Sequence, residues 1–425
     1  MREMKDSGIE WIGEIPESWK VSRIKQLFSE VNDRCENGEN YTLLSVSEYY
    51  GVAPKIERIS DDDMLTHAET LDGYKICKEN DLVINIMLAW KRALGVSEYT
   101  GIVSPAYCIY RAKQNMCAKY FHYLFRTDMY ANLFKQYSTG IIDSRLRLYP
   151  DKFLALKCQV PPIDTQRRIA AYLDRKCSQI DAIIARQQEV VEKLKAYKLS
   201  VITEAVAKGL NPDVPMKDSG VEWIGKIPEH WMMLKLKYAS SILRGKFNHR
   251  PRNDPAYYDG NHPFVQTGDV ARANKYIKNY SQTLNEKGYA VSKEFPANSI
   301  CMTIAANVGD VAILTFDACF PDSVVGFVPS SNITWNYLYY VLTAMKKQFV
   351  RNAIISTQLN LNIEIIKEEF IPVAPLRIQK QISKFLDDKC LAIDRTISAK
   401  QSVIDKLTNY RKSLIYEVVT GKKEV

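Results

Sequence analysis

The sequence predicts an α+β chain with an internal, pseudo-twofold repeat. Two globular domains of mixed α and β structure are joined and followed by two long helices, which are expected to pair as an antiparallel coiled coil. Three observations lead there. The segment at residues 4–19, MKDSGIEWIGEIPESW, returns at 216–231 as MKDSGVEWIGKIPEHW, with three of sixteen positions changed: Ile9 to Val221, Glu14 to Lys226 and Ser18 to His230. A second pair, VPPIDTQRRIAAYLDRKCSQIDAII from Val160 and VAPLRIQKQISKFLDDKCLAIDRTI from Val373, follows at almost the same spacing, so the copies stand 212 and 213 residues apart. Between the repeated parts lie two dissimilar segments, 20–159 and 232–372, in which short β-type runs alternate with turns.

The chain therefore divides into an opening motif at 1–19, a variable domain at 20–159 and a long helix at 160–209. A linker with the second opening motif at 210–231, a second variable domain at 232–372 and a C-terminal helix at 373–425 complete it. Each helix starts at a Pro-punctuated step, as helices favour. Neither contains Pro or Gly, over 165–208 or over 379–420. About 44 residues at about 1.5 Å each make a rod of about 65 Å. Heptads run along both. One seam position takes Ala170, Cys177, Ile184, Val191, Lys198 and Ala205, the other Leu173, Ile180, Gln187, Leu194 and Val201. The second helix matches with Ser383, Cys390, Ile397, Ile404, Arg411 and Val418, and with Leu386, Ile393, Lys400, Leu407 and Leu414. The polar interruptions coincide, Gln187 with Lys400 and Lys198 with Arg411. Matched helices in one chain meet at high effective concentration, which favours their pairing with each other.

In the variable segments, Asp81-Leu-Val-Ile-Asn-Ile-Met, Ser299-Ile-Cys-Met-Thr-Ile and Asp310-Val-Ala-Ile-Leu-Thr-Phe read as strands, and 118–136 and 335–351 as helices. Each segment has the size of an ordinary compact domain.

Composition bounds the function. With 425 residues, 46% of them hydrophobic and 25% charged, the chain has apolar material for two or three cores. Its net charge of +9 suits a polyanionic partner. The nine Cys include no C-x-x-C pair, which argues for reduced thiols in a cytoplasm. No apolar run follows Met-Arg-Glu-Met-Lys-Asp, so no signal peptide is expected, and no stretch approaches the roughly 18 apolar residues of a membrane helix. Nucleotide loops of the forms G-x-x-x-x-G-K-[ST] and G-x-G-x-x-G are absent, as is an N/D-P-P-Y/F methyltransferase signature. The five His (67, 122, 230, 249 and 262) have no metal-ligand spacing. An acid-x-Lys pattern at Asp387-Asp-Lys389, copied at Asp174-Arg-Lys176, resembles a nuclease fragment but lies mid-helix, where solvated surface charges explain it. No catalytic, cofactor or metal residue is assigned.

The basic groups point to nucleic acid. From Lys235 to Arg252 run Lys235, Lys237, Arg244, Lys246, Arg250 and Arg252 without one acid, punctuated by Gly245, Asn248 and Pro251; Thr267, Arg272 and Lys275 follow. Loops of this kind contact phosphates and base edges. DNA-contact candidates in the second domain are Arg244, Lys246, Asn248, Arg250, Arg252, Thr267, Arg272 and Lys275. In the first they are Tyr49, Tyr50, Lys55, Lys91, Arg92, Arg145 and Arg147. A solvated basic loop, core packing of Trp90 and ordinary strand tyrosines are the competing readings.

The order of motif, variable domain and helix, written twice, resembles the specificity subunits of type I restriction–modification systems over essentially the whole chain. The GxEWIGxIPExW motif carries the resemblance. So do Gly101-Ile-Val-Ser-Pro-Ala-Tyr, Tyr137-Ser-Thr-Gly-Ile-Ile-Asp-Ser-Arg-Leu-Arg-Leu-Tyr-Pro and Phe320-Pro-Asp-Ser-Val-Val-Gly-Phe. One departure stands out: the family has Glu-Gln at the helix start, whereas Thr165-Gln166 and Ile378-Gln379 stand here. A helix N-terminus favours an acid, so a small loss of stability is expected.

The resemblance implies two target recognition domains, each reading half of a split double-stranded DNA site. It implies helices that set the spacing and dock methyltransferase (modification) subunits, two of them expected. S-adenosylmethionine, ATP and Mg belong to the modification and restriction subunits, which methylate adenine or translocate and cut DNA; this chain holds no cofactor and is no enzyme by itself. Two alternatives stay open, a self-contained restriction–methylation enzyme and a coiled-coil adaptor that binds no DNA. The missing cofactor loop opposes the first. Two dissimilar basic domains on one duplicated scaffold fit the second poorly.

Overall fold

The computed structural model describes residues 3–55, 71–305, 307–355 and 359–425. His67 lies outside them. The chain forms two compact units, Met1–Gln187 with Ser402–Val425, and Gln188–Gln401. This division differs from one by sequence segment, because each long helix is shared. The helices run over Ile163–Lys208 and Leu376–Val419. Unit 1 takes the start of the first and the end of the second; unit 2 takes the reverse.

The pairing of the helices is antiparallel. In unit 1 Arg411 meets Asp181 at 3.0 Å, and in unit 2 Lys198 meets Asp394 at 2.8 Å. As the number rises along one helix it falls equally along the other. These are repeat-equivalent pairs with the roles of the helices exchanged, so the two charged interruptions of the apolar seam answer each other's aspartates. Apolar seam residues are buried around these pairs: Leu173, Cys177, Ile180 and Leu414 in unit 1, and Leu386, Cys390, Ile393 and Val191 in unit 2. The polar Gln187 and Lys400 stay half-buried.

Each opening motif folds as a hairpin, Met4–Asp6 against Glu14–Pro16 and Met216–Asp218 against Lys226–Pro228. Each buries its second tryptophan, Trp19 or Trp231, and the glycine that ends a long helix packs on that ring. Gly421 lies on Trp19 and Gly209 on Trp231, both at φ +78, a left-handed stop that glycine adopts without a Cβ penalty.

Each variable domain is closed at its base by a two-stranded pairing of its first and last residues. Lys20–Arg23 pairs with Lys157–Val160, and Met232–Lys235 with Phe370–Val373. The first domain holds an antiparallel four-stranded sheet in the order Phe28–Val31, Tyr107–Ala112, Leu82–Asn85, Leu94–Val96. The sheet packs on rings from Phe121, Phe125, Tyr130, Phe134 and Phe153. The expected helix at 118–136 is two, Ala118–Phe125 and Asp128–Tyr137, because Thr127 caps the second by accepting from the Tyr130 N–H. The expected helix at 335–351 likewise breaks into Trp335–Ala344 and Lys346–Arg351.

The second domain has a five-stranded sheet, Ser240–Arg244, Val324–Pro329, Ile300–Thr303, Val311–Leu314 and Tyr276–Ile277 in order. It adds a four-stranded sheet with Tyr258–Phe264 at its middle. Thr267, expected in a loop, opens the helix Thr267–Arg272. The nine cysteines are all unpaired. Among the described residues no helix is long and apolar enough to cross a membrane.

Candidate nucleic-acid interface

The first domain presents its candidates on loops tied together by one buried cation. The hairpin of Leu44–Ser47 and Gly51–Pro54 carries Tyr49 at its tip, 83% exposed. Tyr50 turns inward to Ser45, 3.0 Å away, and Lys55 sits half-buried at the hairpin's end. Beneath the tip, the Arg126 guanidinium donates to the carbonyls of Glu48 and Tyr49 at 3.0 Å, of Arg92 at 2.8 Å and of Leu94 at 2.6 Å, with Ser47 at 3.5 Å. Among the described residues no carboxylate pairs with it, and burial pushes its pKa down to about 10. Five carbonyl dipoles stabilise the charge instead. Arg92, held in the left-handed region at φ 67, points to Asp128.

Beside this knot the Trp90 ring lies between two ammonium groups, Lys91 at 5.1 Å and Lys135 at 4.8 Å. Lys135 also pairs with Asp143 at 2.9 Å and so reaches the loop that carries Arg145 and Arg147. Arg145 is exposed; Arg147 is half-buried and donates to the carbonyls of Ser144 and Leu146.

The second domain inverts the electrostatics. Here an anion gathers the cations. Asp322, from the Phe320-Pro-Asp-Ser segment, meets Arg252 at 2.5 Å and Arg250 at 3.5 Å, and its backbone carbonyl accepts from Arg244. Arg250 further donates to the carbonyls of Phe247 and His249. Lys246 and Asn248 stay exposed on the same loop. The basic stretch that looks acid-free along the chain is thus organised by an acid seventy residues away.

Arg272 and Lys275 belong to another wall. Arg272 pairs with Asp269, which also accepts from the Gln266 N–H and the Ser281 hydroxyl. Lys275, expected at a DNA surface, is turned inward: its side chain is 14% exposed, ion-paired to Asp387 and stacked on the rings of Tyr276, Tyr339 and Tyr340. Burial lowers its pKa against the pull of Asp387. The structure thus places Lys275 on an ion pair within its own unit, apart from the exposed Lys246 and Asn248. It corrects the reading of Asp387 as a solvated charge, since Tyr340 donates to the same carboxylate. The copy in unit 1 behaves alike: Asp174 accepts from Tyr123 at 2.6 Å and faces Lys119 at 3.7 Å. Both aspartates tether a variable domain to its helix. A cleft of about 1040 Å³ opens beside Lys275, lined also by Lys195, Lys278 and Tyr280.

Sequence reasoning missed Arg126 and Asp322, whose partners are remote along the chain. It also passed over the two glutamines at the helix starts. Gln166 accepts from the Cys117 N–H at 2.9 Å and donates to the Pro161 carbonyl at 2.8 Å; Gln379 does the same with Thr334 and Ala374. Both are fully buried. Their recurrence at equivalent helix starts, as Thr165-Gln166 and Ile378-Gln379, was the available signal. Among the described residues no group of three or more His, Cys, Asp or Glu is placed to hold a metal ion.

Residues 228–408 match a family model described as the type I restriction modification DNA specificity domain. Over 439 residues the chain is 25% identical to a Methanocaldococcus jannaschii protein assigned as the type I restriction enzyme MjaX specificity subunit, covering 97% of this chain and 96% of that protein. It is 22% identical over 442 residues to the MjaVIII specificity subunit of the same organism, covering 97% and 94%. Among solved structures, a chain from a study of complex assembly and conformational transition in the type I R–M system superposes with a TM-score of 0.72 at 14% identity, over 96% of this chain and 99% of that one. The HsdS subunit from Thermoanaerobacter tengcongensis follows with a TM-score of 0.50 at 15% identity, over 96% and 98%. With the duplicated opening motif, the antiparallel helices and these likenesses over nearly the whole chain, the protein is similar to type I restriction–modification DNA specificity subunits.

Proposed function

We propose that this chain reads a bipartite, asymmetric site in double-stranded DNA for a type I complex, one half-site per variable domain, and catalyses nothing itself. The observation that carries this reading is a pair of dissimilar basic loop systems, one built on Arg126 and one on Asp322, mounted on repeat-equivalent supports. Different loops on equal supports suit two half-sites of different sequence. Tyr49, Lys91, Arg92 and Arg145 in the first domain, and Arg244, Lys246, Asn248, Arg250 and Arg252 in the second, are the residues assigned to bases and phosphates. The helices act as the ruler. Two modification subunits supply S-adenosylmethionine chemistry on adenine, and restriction subunits supply ATP- and Mg-dependent translocation and cleavage, all in the cytoplasm.

The test is the methylated motif. Purified chain alone should methylate nothing, and chain with modification subunits should methylate one split motif. Exchanging residues 20–159 for those of a relative should change one half-site and leave the other. Four residues inserted after Arg186 add about 6 Å of helix and should lengthen the unread spacer by about one or two base pairs, at about 3.4 Å each. Methylation by the chain alone, or a swap that alters both halves, would overturn the reading.

A further inference from the structure

An apolar tip stands out on the otherwise basic face of the first domain. Ile141 is 98% exposed and Ile142 53%. They lie on a loop pinned at its base, where Thr139 and Arg147 exchange backbone hydrogen bonds of 2.9 and 3.0 Å. Gly140 lets the strands approach: a Cβ there would come within 2.5 Å of the Arg145 carbonyl oxygen. Leu146 and Leu148 anchor the returning strand in the core, and a turn at Asp143–Arg145 closes the tip. Lys135 holds the loop to Trp90 through Asp143. Two isoleucines are thus held out into solvent on a braced support.

A single exposed isoleucine is ordinary. Recurrence makes this pair different. Ile-Ile returns at Ile354–Ile355, 213 residues on, the same spacing as the helix starts at Val160 and Val373. The anchoring leucines return too, Leu146 as Leu359 and Leu148 as Leu361, while Asp143-Ser-Arg becomes Ser356-Thr-Gln. The sequence pattern thus recurs in both variable segments. A feature shared by both heads cannot encode the difference between two half-sites. An isoleucine also has no hydrogen-bonding group with which to read base edges. What it can do is wedge against stacked bases, as apolar side chains of architectural proteins do, while nearby cations grip phosphates. Arg145 and Arg147 stand on this loop, and Lys135 reaches it through Asp143.

We propose that Ile141 and Ile142 form a finger that presses into the bound duplex and unstacks one base step irrespective of sequence. This rests on the DNA-reading function proposed above. The test uses the chain assembled with its modification subunits, and duplexes carrying 2-aminopurine at successive positions of the methylated motif. The wild-type complex should raise fluorescence several-fold at one step beside one half-site. Ile141→Ser with Ile142→Ser should abolish the rise and weaken cognate binding by about tenfold, with the methylated motif unchanged. Ile141→Val with Ile142→Val should keep both. Absence of any rise in the wild type that still binds its motif, or an undiminished rise in the serine variant, would overturn the finger. So would loss of the modification subunits from the serine variant, which would make the tip a protein-docking element. A wild-type complex that prefers no duplex would instead overturn DNA reading itself.

Discussion

The two units attach their variable domains in the same way and build the interiors of those domains differently. In unit 1 the Tyr120 hydroxyl donates to the carbonyls of Gln159 and Val419; in unit 2 Tyr337 donates to those of Pro372 and Val206. Tyr123 and Tyr340 then reach Asp174 and Asp387. On the same helix turns the likeness stops. Where unit 1 has His122 and Arg126, unit 2 has Tyr339 and Thr343. Arg126 organises two loop segments, whereas the Thr343 hydroxyl bonds back to the Tyr339 carbonyl. The loop-organising charge of unit 2 sits elsewhere and has the opposite sign, at Asp322. The junction with the scaffold is held constant while each loop system finds its own electrostatic solution.

The sharpest way to break this contrast is Arg126→Ala. It removes the donor to the carbonyls of Ser47, Glu48, Tyr49 and Leu94, while the Arg92 carbonyl keeps the Leu94 N–H, and each buried orphan costs about 1–3 kcal/mol. Rehydration at the exposed tip offsets part of this. A loss of about 2–4 kcal/mol is expected, with faster hydrogen exchange around residues 47–50 and 92–95 and no change in unit 2. Uniform loosening of both units would mean that Arg126 is not a local organiser.

Next in size are the helix-ending glycines. Alanine at φ +78 is strained at either site, but the surroundings differ. A Cβ on Gly421 would meet the Pro16 ring at 2.5 Å, while one on Gly209 would meet Trp231 at 3.2 Å. Gly421→Ala should cost about 2 kcal/mol and Gly209→Ala about 1, read from denaturant melts of the full chain. Equal costs would show that the two caps tolerate a methyl alike.

Acid should separate the units as well. Burial lowers the His122 pKa well below its usual 6.5, and its Nδ1 accepts from the Val96 N–H at 3.2 Å. Below about pH 6.5 the unfolded chain binds a proton that the folded chain refuses. Stability from this site is therefore complete above that pH. It falls by about 1.4 kcal/mol per pH unit below it, until the folded imidazole protonates. Unit 1 should open first in acid, and His122→Phe should flatten the slope. Identical acid profiles for wild type and variant would remove His122 as the cause.

The smallest effect tests what the units share. Lys198→Ala and Arg411→Ala should each cost about 1 kcal/mol, and double-mutant cycles with Asp394→Ala and Asp181→Ala should give couplings of similar size. The Lys198 pair should couple more strongly, because its side chains are 22% and 23% exposed against 35% and 53%. A coupling in one pair alone would break the equivalence of the repeats.

Much of this architecture could be read along the chain. A sixteen-residue motif written twice, Pro-marked helix starts and heptads without Pro or Gly each act within one or two turns of backbone, so spacing alone reveals them. Even the seam's charged interruptions, Lys198 and Arg411, were visible, though not the aspartates that answer them. The loops were not legible in the same way. Arg244, Arg250 and Arg252 look alike in sequence whether they face solvent or Asp322, and Lys275 gives no sign in sequence of Asp387, 112 residues away, which is folded against it. Tyr120 finds its acceptor at Val419, 299 residues on. Periodicity is a local property, set by helix and strand geometry, and sequence carries it directly. The partner of a charge is a property of which remote segments pack together. Only the folded chain decides that, because a buried charge takes whatever dipole or counter-charge the packing brings within about 3 Å.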